Sequence, residues 1–152
     1  MNFQSLTFKA PGIARSIVIP VIVCQSERLC KKFNKEKIDA DVLALIDTGA
    51  TNSSVSDKLA VSIGLKEIEQ CRVDAAGGSH ISNVFSIDIF LRNMVSFTNI
   101  RSTEFVDNGM FDIIIGMDII TQGDLAITNY NQRTVVSFRV PPDNKHIDFS
   151  IT

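Results

Sequence analysis

Four apolar residues at 43–46 run directly into Asp47, Thr48, Gly49 and Ala50, and this junction constrains the fold more than any other feature of the chain. A short apolar run that stops at a turn signal predicts a buried strand, and the glycine allows a sharp turn after it. We therefore expect a carboxylate held at the end of a buried strand. Taken alone, an aspartate before a glycine is commonly only a turn residue.

The same pattern occurs again further along the chain, where the apolar residues at 113–115 end at Gly116. Two such strand ends can cross beneath one site only if a glycine lets the backbones approach closely. By itself this second junction would be an ordinary core strand with a turn. Together with Asp47 it predicts that Ile115 and Gly116 support the aspartate from below.

A turn of small residues lies between two strand-like segments, 67–73 and 81–91. In the second segment the odd-numbered residues from 85 to 91 are apolar, which predicts that they form its core face. The connection has the character of a hairpin turn. Its central residues are Ala75, Ala76, Gly77 and Gly78.

Most of the remaining chain predicts short strands with one or two short helices. A helix is expected after a Ser56 cap and up to Gly64, and a single helical turn at 118–122, where Asp118 would be a first-turn residue. The basic segment 27–39 is interpreted as a solvated loop or hairpin tip. Strands are predicted at 16–24, 42–46, 67–73, 81–91, 94–106, 111–115, 125–130, 134–140 and 146–152.

Composition limits the class of protein. The 152 residues fit one domain, 1–152, and a net charge of -2 gives no general attraction to nucleic acid or to acidic membranes. The three cysteines have no metal-type spacing, so reduced thiols in a cytoplasmic protein are expected. Neither a signal peptide nor a membrane-spanning segment is expected, and no cofactor or metal is expected.

Three features in this order resemble the retropepsin-like aspartic proteases: Asp-Thr-Gly-Ala at 47–50, the small-residue turn at 75–78, and Ile-Ile-Gly at 114–116. The Met-Asp pair that follows at 117–118 resembles the non-viral cellular and bacterial branch. The resemblance covers about residues 14–140, which leaves 141–152 as a C-terminal tail.

The resemblance implies a mostly β, single-lobe acid protease fold, closed like a barrel, that acts as a homodimer. It implies an aspartic endopeptidase in which Asp47 and its symmetry mate activate water to hydrolyse an extended polypeptide. Thr48 would brace the two loops across the dimer axis, while Gly49, Ala50, Ile115 and Gly116 would support the site. The turn at 75–78 would be the substrate-binding flap. The chain contains no second Asp-Thr-Gly or Asp-Ser-Gly sequence, which favours a dimer independently of the resemblance.

Two other functions are compatible with the chain. The fold could serve as a non-catalytic or weakly active module for dimerisation or peptide binding, although such a module does not need an intact Asp47. An all-β nucleotide hydrolase would need phosphate-binding motifs at strand ends, and the sequence has none. In the tail, Ile147, Phe149 and Ile151 alternate and predict a strand that either joins the dimer interface or covers the edge of its own lobe.

Overall fold

The computed structural model describes residues 3–150, and within them the chain forms ten strands and three short helices. The strands are β1 (Gln4–Lys9), β2 (Ile17–Gln25), β3 (Ala40–Ile46), β4 (Ser54–Ser56), β5 (Glu67–Ala75), β6 (Gly78–Phe90), β7 (Ser96–Phe105), β8 (Ile113–Ile115), β9 (Asp124–Tyr130) and β10 (Arg133–Val140). The helices are α1 (Glu27–Lys32), α2 (Asp57–Ser62) and α3 (Met117–Ile120). The expectation of a mostly β chain is confirmed.

The larger sheet closes on itself. Its seven strands follow the order β2-β3-β8-β4-β7-β6-β5, and β2 also pairs with β6, so that six of the strands form a ring and β5 extends from it. The closing ladder is antiparallel and joins Ile22 through Gln25 to Phe90 through Ile87. Closure removes most free strand edges and surrounds a core of branched apolar side chains. The fully buried members include Val23, Val55, Ile87, Ile89 and Ile113.

A smaller antiparallel sheet has the order β1-β10-β9. Its β9–β10 hairpin confirms the strands predicted at 125–130 and 134–140, and both residues of its turn, Asn131 and Gln132, have positive φ angles. Strand β1, for which the sequence predicts no element, pairs with β10 from Gln4↔Val140 to Lys9↔Val135. This pairing joins the first and the last strand of the described chain.

The second half of the long strand β6, from Val84 to Ile89, is buried on both faces. The predicted core face is confirmed, because Phe85, Ile87, Ile89 and Leu91 are all buried, but the opposite parity is buried as well. On that side the carboxylate of Asp88 accepts hydrogen bonds from the backbone N–H groups of Glu27 (3.0 Å) and Asn99 (2.8 Å). A buried charge is tolerated where its oxygens accept such bonds, so the polar residue does not interrupt the strand.

The interpretation of 27–39 as a solvated loop is wrong for its first half, which forms α1. Two residues of this helix, Leu29 and Cys30, are buried. The side chain of the N-cap residue Ser26 makes no capping hydrogen bond. The carboxylate of Asp88 caps the helix instead, because it accepts the hydrogen bond from the N–H of Glu27. A helix stabilised by a carboxylate from a distant strand cannot be recognised from the local sequence.

The other two helices agree more closely with the prediction from the sequence. Helix α2 begins where predicted, because the hydroxyl oxygen of Ser56 accepts a hydrogen bond from the N–H of Leu59 at 3.1 Å. Helix α3 begins at Met117, one residue before the predicted turn. The described residues thus contain three short helices where one or two were expected.

The strand predicted at 146–152 is absent from its described part. Residues 141–150 form turns and bends with no ladder partner, and a strand needs a neighbouring strand to satisfy its backbone groups. Ile147 and Phe149 are 64% and 87% exposed. Ile151 lies outside the described residues.

Candidate active site

Asp47 follows the last residue of β3, at the level where β3 runs parallel to β8. The ladder pairs Leu45 with Ile114 and Ile46 with Ile115. The backbone N–H of Asp47 then donates a hydrogen bond to the carbonyl oxygen of Ile115 at 3.0 Å. The two strand ends predicted to meet therefore do so, and Asp47 is held by the neighbouring strand rather than by a flexible loop.

The turn after Asp47 closes on its own carboxylate. The N–H of Gly49 donates to Asp47 Oδ1 at 2.8 Å, and the N–H of Ala50 donates to the Asp47 carbonyl at 3.3 Å. A Cβ atom at Gly49 would lie only 3.1 Å from Asp47 Oδ1, so any side chain there would crowd the carboxylate. Thr48 is exposed at the tip of this turn.

Gly116 is required by close packing and not by its backbone angles, since its φ is -94°. A Cβ atom there would lie 2.7 Å from the carbonyl carbon of Asn52 and 2.9 Å from the carbonyl oxygen of Ala50. Both atoms belong to the backbone of the Asp47 loop and cannot rotate away. The loop therefore rests directly on Gly116, as the sequence predicts.

Two residues that the sequence interpretation did not assign to the site hold this loop in place. Both carboxylate oxygens of Asp118 accept hydrogen bonds from Ser53, one from its hydroxyl at 2.7 Å and the other from its N–H at 3.0 Å. The Ser53 hydroxyl oxygen in turn accepts from the N–H of Gly116 at 3.1 Å. Asp118 is a first-turn residue of α3, as expected, but it also clamps the loop. The sequence feature that could have indicated this contact is the position of Asp118, two residues after Gly116.

A cleft of about 660 Å³ lies between this loop and the β5–β6 hairpin. The hairpin turn is tighter than predicted, with Ala76 and Gly77 at the turn and Ala75 paired with Gly78. Ala75 and Ala76 line the cleft together with Asp47, Gly49 and Ala50. Gly77 and Gly78 lie at the tip of the hairpin without contributing to the cleft wall, and Ile115 and Gly116 lie beneath the loop.

The β5–β6 hairpin carries a polar network next to its turn. Arg72 Nη2 donates to the hydroxyl of Ser79 at 3.0 Å, and its Nε lies 3.4 Å from Asp74 Oδ1. Asp74 and Ser79 face each other across the hairpin and are hydrogen-bonded. All three side chains are on the surface, so this hairpin is braced by polar contacts rather than by an apolar clamp.

The opposite wall of the cleft is also polar. The hydroxyls of Ser54 and Thr103 are 2.8 Å apart, and Arg101 Nε donates to Glu69 Oε1 at 2.6 Å. This hydrogen bond to Glu69 is the main reason that the pKa of Arg101 is raised above its ordinary value. The cleft thus presents one carboxylate of the loop, small flap residues and a charged wall.

Within residues 3–150 no group of three or more His, Cys, Asp or Glu side chains is placed to hold a metal ion. Helices in the same part of the chain all lack the combination of length and apolar character needed to cross a lipid bilayer.

The fold is that of the retropepsin-like aspartic proteases. The structure is similar to the crystal structure of a retropepsin-like aspartic protease from Rickettsia conorii, with a TM-score of 0.54 and 10% sequence identity over 92% of this chain and 97% of that one. A second similar structure is the retroviral protease-like domain of Ddi1 from Leishmania major, with a TM-score of 0.40, 18% identity, and coverage of 83% and 92%. No protein with a curated description matches the sequence.

The sequence itself identifies the family. The model of the family described as gag-polyprotein putative aspartyl protease matches residues 35–122, which is more than half of the chain. The chain belongs to this family. The matched segment contains the Asp47 loop, the β5–β6 hairpin and the strand β8 that precedes Gly116.

Proposed function

We propose that the chain is an aspartic endopeptidase that hydrolyses peptide bonds as a homodimer, with one Asp47 from each subunit. The observation that carries the proposal is the position of Asp47, held between the N–H of Gly49 and the carbonyl of Ile115 in a segment that matches an aspartyl protease family. The proposal extends the family's chemistry to this chain through those residues.

The cleft of one subunit supports the need for a second copy. Acid–base hydrolysis of this type uses two carboxylates, and one chain supplies only Asp47 from the loop. The other carboxylate that lines the cleft among the described residues is Asp74, which is hydrogen-bonded to Ser79 and paired with Arg72. Asp74 is therefore engaged in bracing the flap, and the second catalytic carboxylate is assigned to the partner.

The proposed mechanism follows from bringing two like charges together. Two carboxylates at hydrogen-bond distance share one proton, because their mutual repulsion raises the pKa of one of them. The ionised Asp47 removes a proton from a water molecule while the oxygen of that water attacks the peptide carbonyl carbon. The protonated Asp47 donates a hydrogen bond to the carbonyl oxygen, and a proton then passes to the leaving nitrogen. The two apparent pKa values belong to the pair.

The remaining residues have supporting roles in the proposal. Gly49 orients the carboxylate, Gly116 and Ile115 support the loop, and the exposed Thr48 contacts the partner loop across the axis. The flap at 75–78 closes over an extended polypeptide that adds a strand to the cleft. The three free cysteines support a reducing, cytoplasmic environment.

Cleavage of a mixed peptide library tests the proposal. Wild-type protein and the Asp47→Asn variant are incubated with the library at acidic and neutral pH, and products are identified by mass spectrometry. Cleavage by the wild type that the variant lacks is the expected result, since Asn cannot act as a base. A dimer that binds peptides equally well in both forms, without cleavage, would instead establish a binding module.

A further inference from the structure

A second groove adjoins the cleft at Arg101. This groove has a volume of about 350 Å³ and lies between α1 and the strands β5 and β7. Arg101 lines both the cleft and the groove. A polypeptide that extends from the cleft past Arg101 therefore comes to the groove beside α1.

The strand register explains why the cleft and the groove lie on the same face of the sheet. Arg101 pairs with Ser86 on β6, and Glu69 of β5 pairs with Val84 on the same strand. Residues that face each other in antiparallel strands project from the same face of the sheet. The Arg101–Glu69 ion pair therefore extends over β6 from one neighbouring strand to the other, and it forms the boundary between the cleft and the groove.

The wall contributed by α1 is cationic. Arg28 and Lys32 are four residues apart, so they project from the same side of the helix, and both line the groove. Neither forms a salt bridge with any residue from 3 to 150, whereas Lys31 on the same helix is paired with Glu27 at 2.5 Å. Arg101 is paired with Glu69, and Glu67 is the one carboxylate among the lining residues. Arg28 and Lys32 therefore leave the groove with a net positive charge.

The groove also offers apolar surface. Phe33 and Ile68 line it and are 48% and 43% exposed, and the ammonium of Lys32 lies 5.4 Å from the centre of the Phe33 ring. Such a surface contacts the carbon stems of glutamate side chains while the basic groups receive the carboxylates. A positively charged groove attracts a negatively charged ligand and excludes a positively charged one.

We propose that the α1 groove is an exosite that binds an acidic segment of the polypeptide substrate, at a distance from the bond that is cleaved. The inference rests on the proposed function, because the path from the cleft defines the occupant. In a twofold dimer the groove occurs once at each end of the combined cleft. An acidic segment on either side of the cleaved bond therefore reaches one of the two copies.

Extended peptide substrates provide the test. Three fluorogenic peptides share one cleaved core sequence and differ only in a six-residue extension of Glu, Gln or Lys. At low salt we expect the Glu extension to raise kcat/KM about tenfold over the Gln extension, mainly through KM, and the Lys extension to lower it. Raising the salt to 0.5 M removes most of the difference, because exposed charges are then screened.

Variants localise the effect to α1. The Arg28→Gln/Lys32→Gln double variant loses the preference for Glu and keeps its activity on the Gln peptide. The Lys31→Gln variant removes a charge from the same helix outside the groove and keeps the preference. Equal kcat/KM for the Glu and Gln peptides in the wild type, or equal loss of preference in the Lys31→Gln control, overturns the exosite.

A binding measurement separates this inference from the proposed hydrolysis. Fluorescence anisotropy of the labelled Glu and Gln peptides is measured with the Asp47→Asn protein, where cleavage is not needed. Tighter binding of the Glu peptide that depends on Arg28 and Lys32 supports the exosite even if no peptide is cleaved by the wild type. Tighter binding of a single-stranded oligonucleotide of equal charge, or no preference for Glu, overturns it.

Discussion

The carboxylate of Asp118 accepts hydrogen bonds from both the hydroxyl and the backbone N–H of Ser53, at 2.7 and 3.0 Å. Ser53 is fully buried and lies at the end of the loop that begins with Asp47. The same hydroxyl oxygen accepts the N–H of Gly116. Asp118 therefore fixes the end of the loop, while Gly49 and Ile115 fix its beginning.

Replacing Asp118 by alanine should loosen the loop. The change leaves the buried N–H and hydroxyl of Ser53 without their acceptor, and we expect the free energy of unfolding to fall by about 2 kcal/mol. In the proposed dimer we expect kcat to fall more than KM rises, because the substitution would displace the catalytic carboxylates without removing contacts to the substrate. Urea denaturation and peptide hydrolysis measure the two effects.

Ser53→Ala is the matched comparison for Asp118. It removes the hydroxyl but keeps the N–H of residue 53, so one of the two hydrogen bonds to Asp118 survives. It also leaves the buried N–H of Gly116 without its acceptor, so a loss of stability of similar size to that of Asp118→Ala is expected. If both variants matched the wild type, Asp118 would be only a helix residue with no effect on the loop.

Gly116→Ala should be strongly destabilising. The added methyl would overlap the backbone of Asn52 at 2.7 Å and of Ala50 at 2.9 Å, and a backbone contact cannot be relieved by a rotamer change. We expect the free energy of unfolding to decrease by about 3 kcal/mol. Thermal unfolding followed by circular dichroism measures the change.

Gly12→Ala is the control for that substitution. No atom lies within 4 Å of the position its Cβ would take, so we expect its stability to stay within about 0.5 kcal/mol of the wild type. Equal melting temperatures for the two variants would mean that the Asp47 loop does not rest on Gly116.

The sequence predicts those parts of the fold whose causes are local. The apolar run before Asp47, the glycine at 116 and the small residues of the flap each determine their own strand end or turn. Contacts between distant segments were not predictable in this way. Helix α1 depends on the carboxylate of Asp88, and β1 exists because it pairs with β10 at the other end of the chain.

The same distinction applies within the site. The N–H of Gly49 reaches Asp47 across two residues, and the Asp-Thr-Gly pattern is enough to predict it. Ser53 and Asp118 are 65 positions apart in the chain. Strand β8, which precedes Asp118, pairs with β4, which follows Ser53, and this long-range pairing brings the two residues together. Sequence reasoning therefore assigned Asp118 to its helix alone.

Asp124 should make part of the stability dependent on acidic pH. The backbone N–H of Asp143 and then the guanidinium of Arg139, each 2.8 Å from Asp124 Oδ2, lower the pKa of this carboxyl below its ordinary value of 3.8. The folded state therefore binds the proton less tightly than the unfolded state. The resulting stabilisation is complete above the ordinary pKa and is lost as the pH falls through the lowered one.

The Asp124→Asn variant tests this dependence. At pH 6 it should melt at a lower temperature than the wild type, because the ion pair with Arg139 is gone. As the pH falls through the lowered pKa, the wild-type carboxyl also takes up a proton, so the difference in melting temperature should shrink. Calorimetry at several pH values below 6 gives the comparison, and a difference that grew as the pH fell would contradict the lowered pKa.

The C-terminal tail offers a last prediction about assembly. Ile147 and Phe149 are exposed in the single chain although both are large and apolar, and no strand of the described chain pairs with them. We expect that deleting residues 141–152 weakens the proposed homodimer, because burying these side chains against a partner would remove apolar surface from water. The deletion also removes Asp143, which contacts Arg139 and Asp124.

A double variant, Ile147→Ser/Phe149→Ser, therefore isolates the apolar side chains from those contacts. We expect its dimer dissociation constant to rise at least tenfold in analytical ultracentrifugation, since two buried apolar side chains contribute more than the about 1.4 kcal/mol that a tenfold change requires. Val61→Ser, which removes a side chain 81% exposed on α2, should leave the constant unchanged. An identical monomer–dimer equilibrium for the wild type and the double variant would refute the role of the tail and place the subunit contact elsewhere.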